Sequence, residues 1–113
     1  MASDKHTFCD GKNVWLVKDL WSAAAGLPVE HVALSLLEHR ESIFDHPVKA
    51  KEWATEIQRI LDADLDYPLI QTPAGWIADG MHRLIKAHLL GHETIKVVRI
   101  SQMPTPIPTP GVY

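Results

Sequence analysis

The chain has 113 residues, of which 46% are hydrophobic and 22% are charged, which is enough for one domain with a modest core. Its formal net charge is −3 and no basic stripe is present, which disfavours nucleic acid as a partner. No apolar run approaches the roughly 18 residues that cross a bilayer, and residues 1–10 lack the order of a signal peptide. We therefore expect a cytoplasmic protein with no membrane partner, and the single cysteine, Cys9, excludes an intramolecular disulfide.

The amino-terminal part of the chain predicts a flexible leader followed by a helix. Residues 1–12 are polar and contain the turn signal Asp10-Gly11, so a single domain is expected to span residues 13–101. The helix is predicted over Asn13–Ala25, with the asparagine as its capping residue. The apolar residues of this segment have helical spacing: Val17, Leu20, Trp21 and Ala24.

A strand and a second helix are predicted for the middle of the chain. Residues 29–34 are partly β-branched and predict a strand, whereas residues 35–44 predict a loop or a short helical turn. Asp45-His46-Pro47 is a helix-start signal with proline in the first turn, and the helix is expected to end near Ala63. Its apolar stripe has helical spacing: Trp53, Ile57, Ile60 and Leu61.

The next segment predicts a hairpin, a helix and a last strand. The predicted order is a strand at 67–72, a tight turn at 73–75, a strand at 76–78, a helix at 81–90 and a strand at 94–100. Gly91 follows the helix at the position where a glycine commonly ends one. Strand, helix and strand in close succession are typical of a crossover connection. The fold class is therefore α+β, with a small mixed sheet and packed helices.

A proline-rich tail is predicted for residues 102–113. Proline occupies every second position in part of it: Pro104, Pro106, Pro108 and Pro110. This composition favours an extended polyproline II chain, either as a disordered tail or as an arm on a neighbouring molecule. A homodimer is among the expected partners.

The segment Asp79-Gly80-Met81-His82-Arg83 is the strongest candidate for a functional site. A strand ends there, a glycine permits a sharp turn, and a helix begins, so unpaired N–H groups and the helix dipole favour an anion. Arg83 adds a cation suited to phosphate, and His82 can donate to an oxyanion or move a proton near neutral pH. Asp79 can cap the helix, bind a hydroxyl or bind a metal ion through water.

A simpler interpretation of the same five residues is a capped turn. Asp79 would then be only the N-cap, Gly80 only a turn residue, and His82 and Arg83 only surface residues of the first helical turn. The surrounding order of strand, turn, helix, glycine and strand favours the phosphate site over this interpretation.

Residues 67–100 resemble the ParB/sulfiredoxin superfamily, in which a hairpin, a glycine turn with a basic residue, a helix and a strand follow in this order. Residues 90–97, Leu-Gly-His-Glu-Thr-Ile-Lys-Val, are similar to the segment that follows the motif helix in such domains. The resemblance extends over about 29–100, and small bacterial stand-alone proteins labelled ParB-like look similar to the whole chain. The resemblance implies that the phosphates of ATP, ADP or CTP are bound, with Mg²⁺ brought by the nucleotide, by the five motif residues Asp79, Gly80, Met81, His82 and Arg83.

The Asp-Gly-x-His-Arg motif resembles the kinase-like and sulfiredoxin-like branches more than the DNA-partitioning branch. In the kinase-like branch a loop glutamate acts as a base, so Glu38 or Glu41 is a candidate, although a solvated charge cluster explains them too. Met81 stands where the sulfiredoxin-like branch has cysteine, which excludes thiol chemistry there. No helix-turn-helix follows the domain, which argues against partitioning-type DNA binding.

The resulting hypothesis is a phosphotransferase or nucleotide hydrolase with Glu38, Glu41 and His82 as candidate catalytic residues. The alternatives are a non-catalytic ParB-like binding module and a DNA-associated ParB-like protein. No metal site is predicted within the protein itself, because neither a cysteine cluster nor a His-Glu-x-x-His run is present.

Overall fold

A four-stranded mixed sheet forms the centre of the protein in a computed structural model that describes residues 6–37 and 46–108. The elements in chain order are β1 (Thr7–Cys9), β2 (Val14–Leu16), α1 (Val17–Ala24), β3 (Val29–Ala33), a 3₁₀ turn (Leu34–Leu36), α2 (Ala50–Asp62), β4 (Leu69–Gln71), β5 (Ile77–Asp79), α3 (Met81–Leu89) and β6 (Thr94–Arg99). No helix in the described ranges is both long and apolar enough to cross a membrane.

The strand order of the main sheet is β3-β6-β4-β5. β4 and β5 form an antiparallel hairpin, β3 and β6 are also antiparallel, and β4 and β6 are parallel. The parallel pair needs a long connection, which β5 and α3 supply. This mixed sheet confirms the predicted α+β class, and it places the end of β5 beside the start of α3.

Both faces of the sheet are covered, so the core has two clusters. One lies against α1 and the β1–β2 hairpin: Phe8, Trp15, Val17, Leu20, Ala24, Ile70, Ala78, Val98 and Ile100. The other lies against α3: Val32, Leu34, Leu37, Leu69, Ile77, Leu84, Ala87, Ile95 and Val97. Leu69 and Ile70 are fully buried in different clusters, because successive side chains of a strand point to opposite faces.

The predicted leader is wrong for residues 7–9, which form β1 and pair with β2. Phe8 is opposite Trp15 in this antiparallel pair, and the two rings stack with centroids 6.0 Å apart. The Asp10 carboxylate closes the turn by accepting backbone N–H groups from Lys12 and Asn13, at 2.9 and 2.8 Å. The N–H groups of Asn13 and Lys12 also hold the pKa of Asp10 below its usual value.

The predicted first helix begins too early in the sequence, because residues 14–16 are a strand and α1 begins at Val17. Leu16, and not Asn13, is the N-cap. Burial of Trp15 against Phe8 explains the difference: both aromatic side chains are covered only when residues 14–16 are extended.

Part of the proline-rich segment lies on the chain's own β2. The indole N–H of Trp15 donates to the carbonyl of Pro104 at 2.8 Å, and the N–H of Ile107 donates to the carbonyl of Val14 at 2.7 Å. Residues 109–113, the end of the predicted tail, are outside the described residues.

Helix α2 begins later than predicted, at Ala50, and its apolar stripe is not part of the core. None of its residues is buried, and Trp53, Ile57 and Leu61 are each about half exposed. The helix contacts α3 through a neighbouring face that carries Glu56, whose side chain is only 13% exposed. Polar contacts therefore contribute to the position of α2 against α3.

Candidate anion site at the start of helix α3

Gly80 joins β5 to α3 in a conformation that only glycine adopts easily. It is the N-cap of α3, with φ 113° and ψ 21°, and it is buried. A Cβ atom at this position would lie 2.3 Å from Cδ2 of Leu69 and 3.0 Å from a guanidinium nitrogen of Arg83. The glycine is therefore required both by the backbone turn and by close packing against β4.

Within residues 6–37 and 46–108, no side chain bonds the backbone N–H groups in the first turn of α3. No side chain caps the helix, and the first N–H to bond to the turn is that of Leu84, which donates to the Gly80 carbonyl at 2.9 Å. The N–H groups of Met81, His82 and Arg83 precede it and have no acceptor within the helix. These three residues are partly exposed, so the start of α3 can bind an anion.

Asp79 does not cap the helix, so the simple capped-turn interpretation is wrong on this point. One of its oxygens, Oδ2, accepts the indole N–H of Trp21 at 2.8 Å and a guanidinium N–H of Arg83 at 3.3 Å. The Asp79 and Arg83 side chains are only 13% and 14% exposed. The carboxylate therefore ties α1 to the first turn of α3.

The Arg83 guanidinium is held by three neighbours. Besides the bond to Asp79, it donates to the carbonyl of Pro68 at 3.1 Å, and its central carbon lies 5.9 Å from the ring centroid of Trp21. A planar fork can make this set of contacts at once, which an ammonium group cannot. Binding of phosphate by Arg83 stays a prediction, because the described geometry shows the side chain engaged within the protein.

His82 points away from this cluster and pairs with a carboxylate that the sequence analysis missed. Its Nε2 lies 2.6 Å from Oε2 of Glu56, and the other oxygen of Glu56 accepts from Arg59 at 3.0 Å. When Nε2 carries the proton of the neutral ring, Nδ1 is left as an acceptor. A carboxylate that orients an imidazole in this way is a common arrangement for moving protons.

Lys86, one turn after His82, makes a second link between α3 and α2. Its Nζ donates to the carbonyls of Leu61 and Ala63, both at 2.7 Å. These carbonyls belong to the end of α2, where the helix dipole favours a cation. Lys86 therefore stabilises the end of α2. Together with the contact between Glu56 and His82, it links α2 to α3.

The five residues of the predicted phosphate motif lie at the start of α3, but their side chains contact different parts of the protein. Asp79 and Arg83 face inward, and His82 is 32% exposed on its other side. Glu38 and Glu41, the other candidate catalytic residues, are outside the described residues. No group of three or more His, Cys, Asp or Glu side chains suited to a metal ion occurs in residues 6–37 and 46–108.

Nothing in the spacing of the sequence could have indicated Glu56 as the partner of His82. The two residues are 26 positions apart on different helices, and Glu56 lies next to apolar Ile57 in what looks like an ordinary amphipathic helix.

Comparison with known proteins adds no family to this description. No family model matches the chain, and no curated protein matches it. The ParB/sulfiredoxin resemblance therefore stays a prediction from residues 67–100, and the α+β architecture stands on the structure alone.

Proposed function

We propose that the chain is a ParB-like domain that binds a nucleotide or another phosphorylated small molecule at the start of α3. The observation that carries this proposal is the buried Gly80 turn, after which the N–H groups of Met81, His82 and Arg83 have no acceptor among the described residues and lie on a partly exposed surface. Donors fixed in this way bind phosphate oxygens without further rearrangement.

The reaction that best fits the site is transfer or hydrolysis of a phosphoryl group. In this proposal the N–H groups stabilise charge on the phosphoryl oxygens. His82 Nδ1 takes the proton from the attacking water or hydroxyl group, and Glu56 stabilises the imidazolium that results. Glu56 is a positioning residue here, because it acts through the imidazole.

The Asp79–Arg83 pair supports this site without contacting the ligand. Since each charge is matched by the other, the Asp79 carboxylate adds little net repulsion to an anion at the helix start. ATP, ADP and CTP, with Mg²⁺ as their counterion, are the first ligands to test, and the proposed compartment is the cytoplasm. A direct bond from Asp79 to Mg²⁺ would use Oδ1, because Oδ2 accepts from Trp21 and Arg83.

A second candidate is a binding module that performs no reaction. The observation that favours it is that two of the predicted functional side chains, Asp79 and Arg83, are bonded to each other and to the protein. A ligand would then be held by the backbone and would change how the domain packs with a partner. DNA is a weaker candidate, because the net charge is −3.

The test compares wild type with His82→Ala and with His88→Ala, which changes an exposed histidine near the other end of α3. Thermal shift and phosphate release are measured with ATP, ADP, CTP and GTP, each with and without Mg²⁺. We expect a nucleotide to raise Tm for wild type and His88→Ala, and phosphate release to fall at least 100-fold in His82→Ala.

Two further outcomes separate the candidates. A thermal shift without phosphate release in wild type would support the binding module and exclude nucleotide hydrolysis. If no nucleotide and no inorganic phosphate shifts Tm, the phosphate site is wrong. A Glu56→Gln variant should bind as wild type does but turn over more slowly, because the amide no longer stabilises a charged imidazole.

A further inference from the structure

The β1–β2 hairpin has a face that already binds an extended, proline-containing segment. We define this docking face by Phe8, Val14 and Trp15, and the proline segment by residues 103–108. The indole N–H of Trp15 donates to the Pro104 carbonyl at 2.8 Å. Three residues later the Ile107 N–H donates to the Val14 carbonyl at 2.7 Å, forming an isolated antiparallel bridge.

The chemistry of these contacts is selective for such a segment. An indole N–H that meets a proline carbonyl beside aromatic rings is a recurring mode of recognition for proline-rich peptides. Proline stiffens the segment in advance, so little conformational entropy is lost when it binds. Ile107 is the one residue between Pro106 and Pro108, and it retains the N–H that the bridge requires.

The docking face continues into an open groove beyond the start of the segment. The groove has a volume of about 350 Å³. Its walls include Phe8, Trp15, Trp76, Pro73 and Met103. Trp76 is 41% exposed there, although Trp15 itself is 4% exposed. The segment therefore covers only part of an aromatic surface.

The segment is joined to the docking face by few directional contacts. Two hydrogen bonds link it to the hairpin, and four of its six residues are partly buried: Met103, Pro104, Pro106 and Ile107. Each hydrogen bond contributes only modestly to stability in water. The connection to β6 runs through Ser101 and Gln102, which are exposed bends and give the segment a short tether.

We propose that the docking face is an interaction surface whose partner is the proline segment of a second copy of this chain. The only sequence that the structure shows to fit the face is the chain's own, so a second copy presents the same acceptor, donor and methionine at the same spacing. Reciprocal exchange of the segments closes a two-fold dimer in which both faces are occupied. Exchange competes with a tethered segment at an effective concentration near the millimolar range, so the dimer forms at high protein concentration.

The test mixes two full-length variants with complementary defects. Ile107→Pro removes the N–H that bonds Val14, so its own segment is held less tightly and its docking face is more accessible to a second segment. Trp15→Phe keeps the aromatic bulk but loses the donor, so its segment is intact and its face is weakened. The matched control is Thr105→Pro, which adds the same residue at an exposed position within the segment.

The readout is the indole N–H signal of Trp15 in ¹⁵N-labelled Ile107→Pro, assigned by its absence from Trp15→Phe. We expect the signal to move away from its wild-type position in Ile107→Pro. In Thr105→Pro the signal should keep its wild-type position. Adding unlabelled Trp15→Phe at roughly millimolar concentration should return the signal, and sedimentation should show a heterodimer. Wild-type protein should show a rising dimer fraction over the same range.

Three results would overturn the proposal. The signal could stay at its wild-type position in Ile107→Pro, or it could fail to return when Trp15→Phe is added. A return with a synthetic peptide of residues 103–108, but not with the protein, would also exclude a second copy as the partner. If Ile107→Pro fails to fold, Met103→Ser weakens the same segment, keeps both hydrogen bonds to β2 and is used in its place.

Discussion

Replacement of Gly80 with alanine gives the sharpest test of the turn that creates the candidate site. The backbone at this position has φ 113°, which costs a residue with a side chain about 1 to 3 kcal/mol. The added Cβ would also lie 2.3 Å from Cδ2 of Leu69, a fully buried core residue that has little space to move. Overpacking of this kind costs about 1 to 3 kcal/mol. The expected loss of stability is therefore about 2 to 6 kcal/mol.

Gly91→Ala is the matched control for this substitution. Gly91 has φ 75°, but nothing lies within 4 Å of the Cβ that would be added. Only the backbone cost applies, which is about 1 to 2 kcal/mol. The backbone cost at Gly80 exceeds that at Gly91 by about 1 kcal/mol at most, so most of the difference between the two variants reflects the close contact with Leu69.

Urea unfolding followed by far-UV circular dichroism measures both losses. With a slope of about 1.5 kcal/mol per molar urea, a 4 kcal/mol loss lowers the midpoint by roughly 2 to 3 M. The control should fall by about 1 M on the same scale. Equal midpoints for Gly80→Ala and Gly91→Ala would refute the argument that close packing against β4 requires a glycine at the start of α3.

Three further predictions test neighbouring contacts. Arg83→Lys should lower the free energy of unfolding by about 1 to 3 kcal/mol, because lysine cannot bond the Asp79 carboxylate and the Pro68 carbonyl at once. The control Arg59→Lys, at an exposed position, should change the free energy of unfolding in urea by less than about 0.5 kcal/mol. A loss of ligand affinity in Arg83→Lys at unchanged stability would contradict this prediction. Asp10→Ala should lower Tm by loosening the turn between β1 and β2, and an unchanged Tm would contradict that role. The His46 ring and a backbone N–H hold the pKa of Glu52 below its usual value near 4.5. The stabilisation of the α2 start is thus complete above that value and is lost as pH falls through the lower, folded pKa, which amide exchange in the first turn of α2 will detect.

Most of the main sheet could be predicted because its signals are local. Glycine marks both ends of α3, a tight turn separates β4 from β5, and β6 is a run of β-branched residues. Each of these features depends on residues within a few positions of one another. These local preferences agree with the tertiary structure, so the predicted elements are present in the folded protein.

The hairpin at the amino terminus could not be predicted, because its cause is distant in the chain. Residues 14–16 precede an amphipathic helix and look like its first turn, but Trp15 is buried by Phe8 and bonds the carbonyl of Pro104. Residues 7–9 have no strand pattern that stands out from a polar leader. Tertiary contacts therefore decided the conformation against local propensity.

Helix α2 shows a different limit of sequence reasoning. Helical spacing correctly predicts the helix, and it also indicates which side of it is apolar, but not whether that side is packed. In the protein Trp53, Ile57 and Leu61 of the apolar stripe are about half exposed, while the side with Glu56 contacts α3. The link from His82 to Glu56 follows from that orientation, so it was beyond the reach of spacing alone.

The five-residue motif now divides into two halves with separable consequences. Asp79, Gly80 and Arg83 hold the turn through contacts with Trp21, Leu69 and Pro68, so substitutions there should act first on stability. Met81 and His82 are partly exposed beside the N–H groups of the first turn, so substitutions there should act first on binding or turnover, and His82→Ala should lower stability only by the lost bond to Glu56. A phosphate site needs both halves, because free donors bind an anion only when the turn that presents them is rigid. If His82→Ala and Arg83→Lys had the same effect on stability and on nucleotide binding, this division of the motif would be wrong.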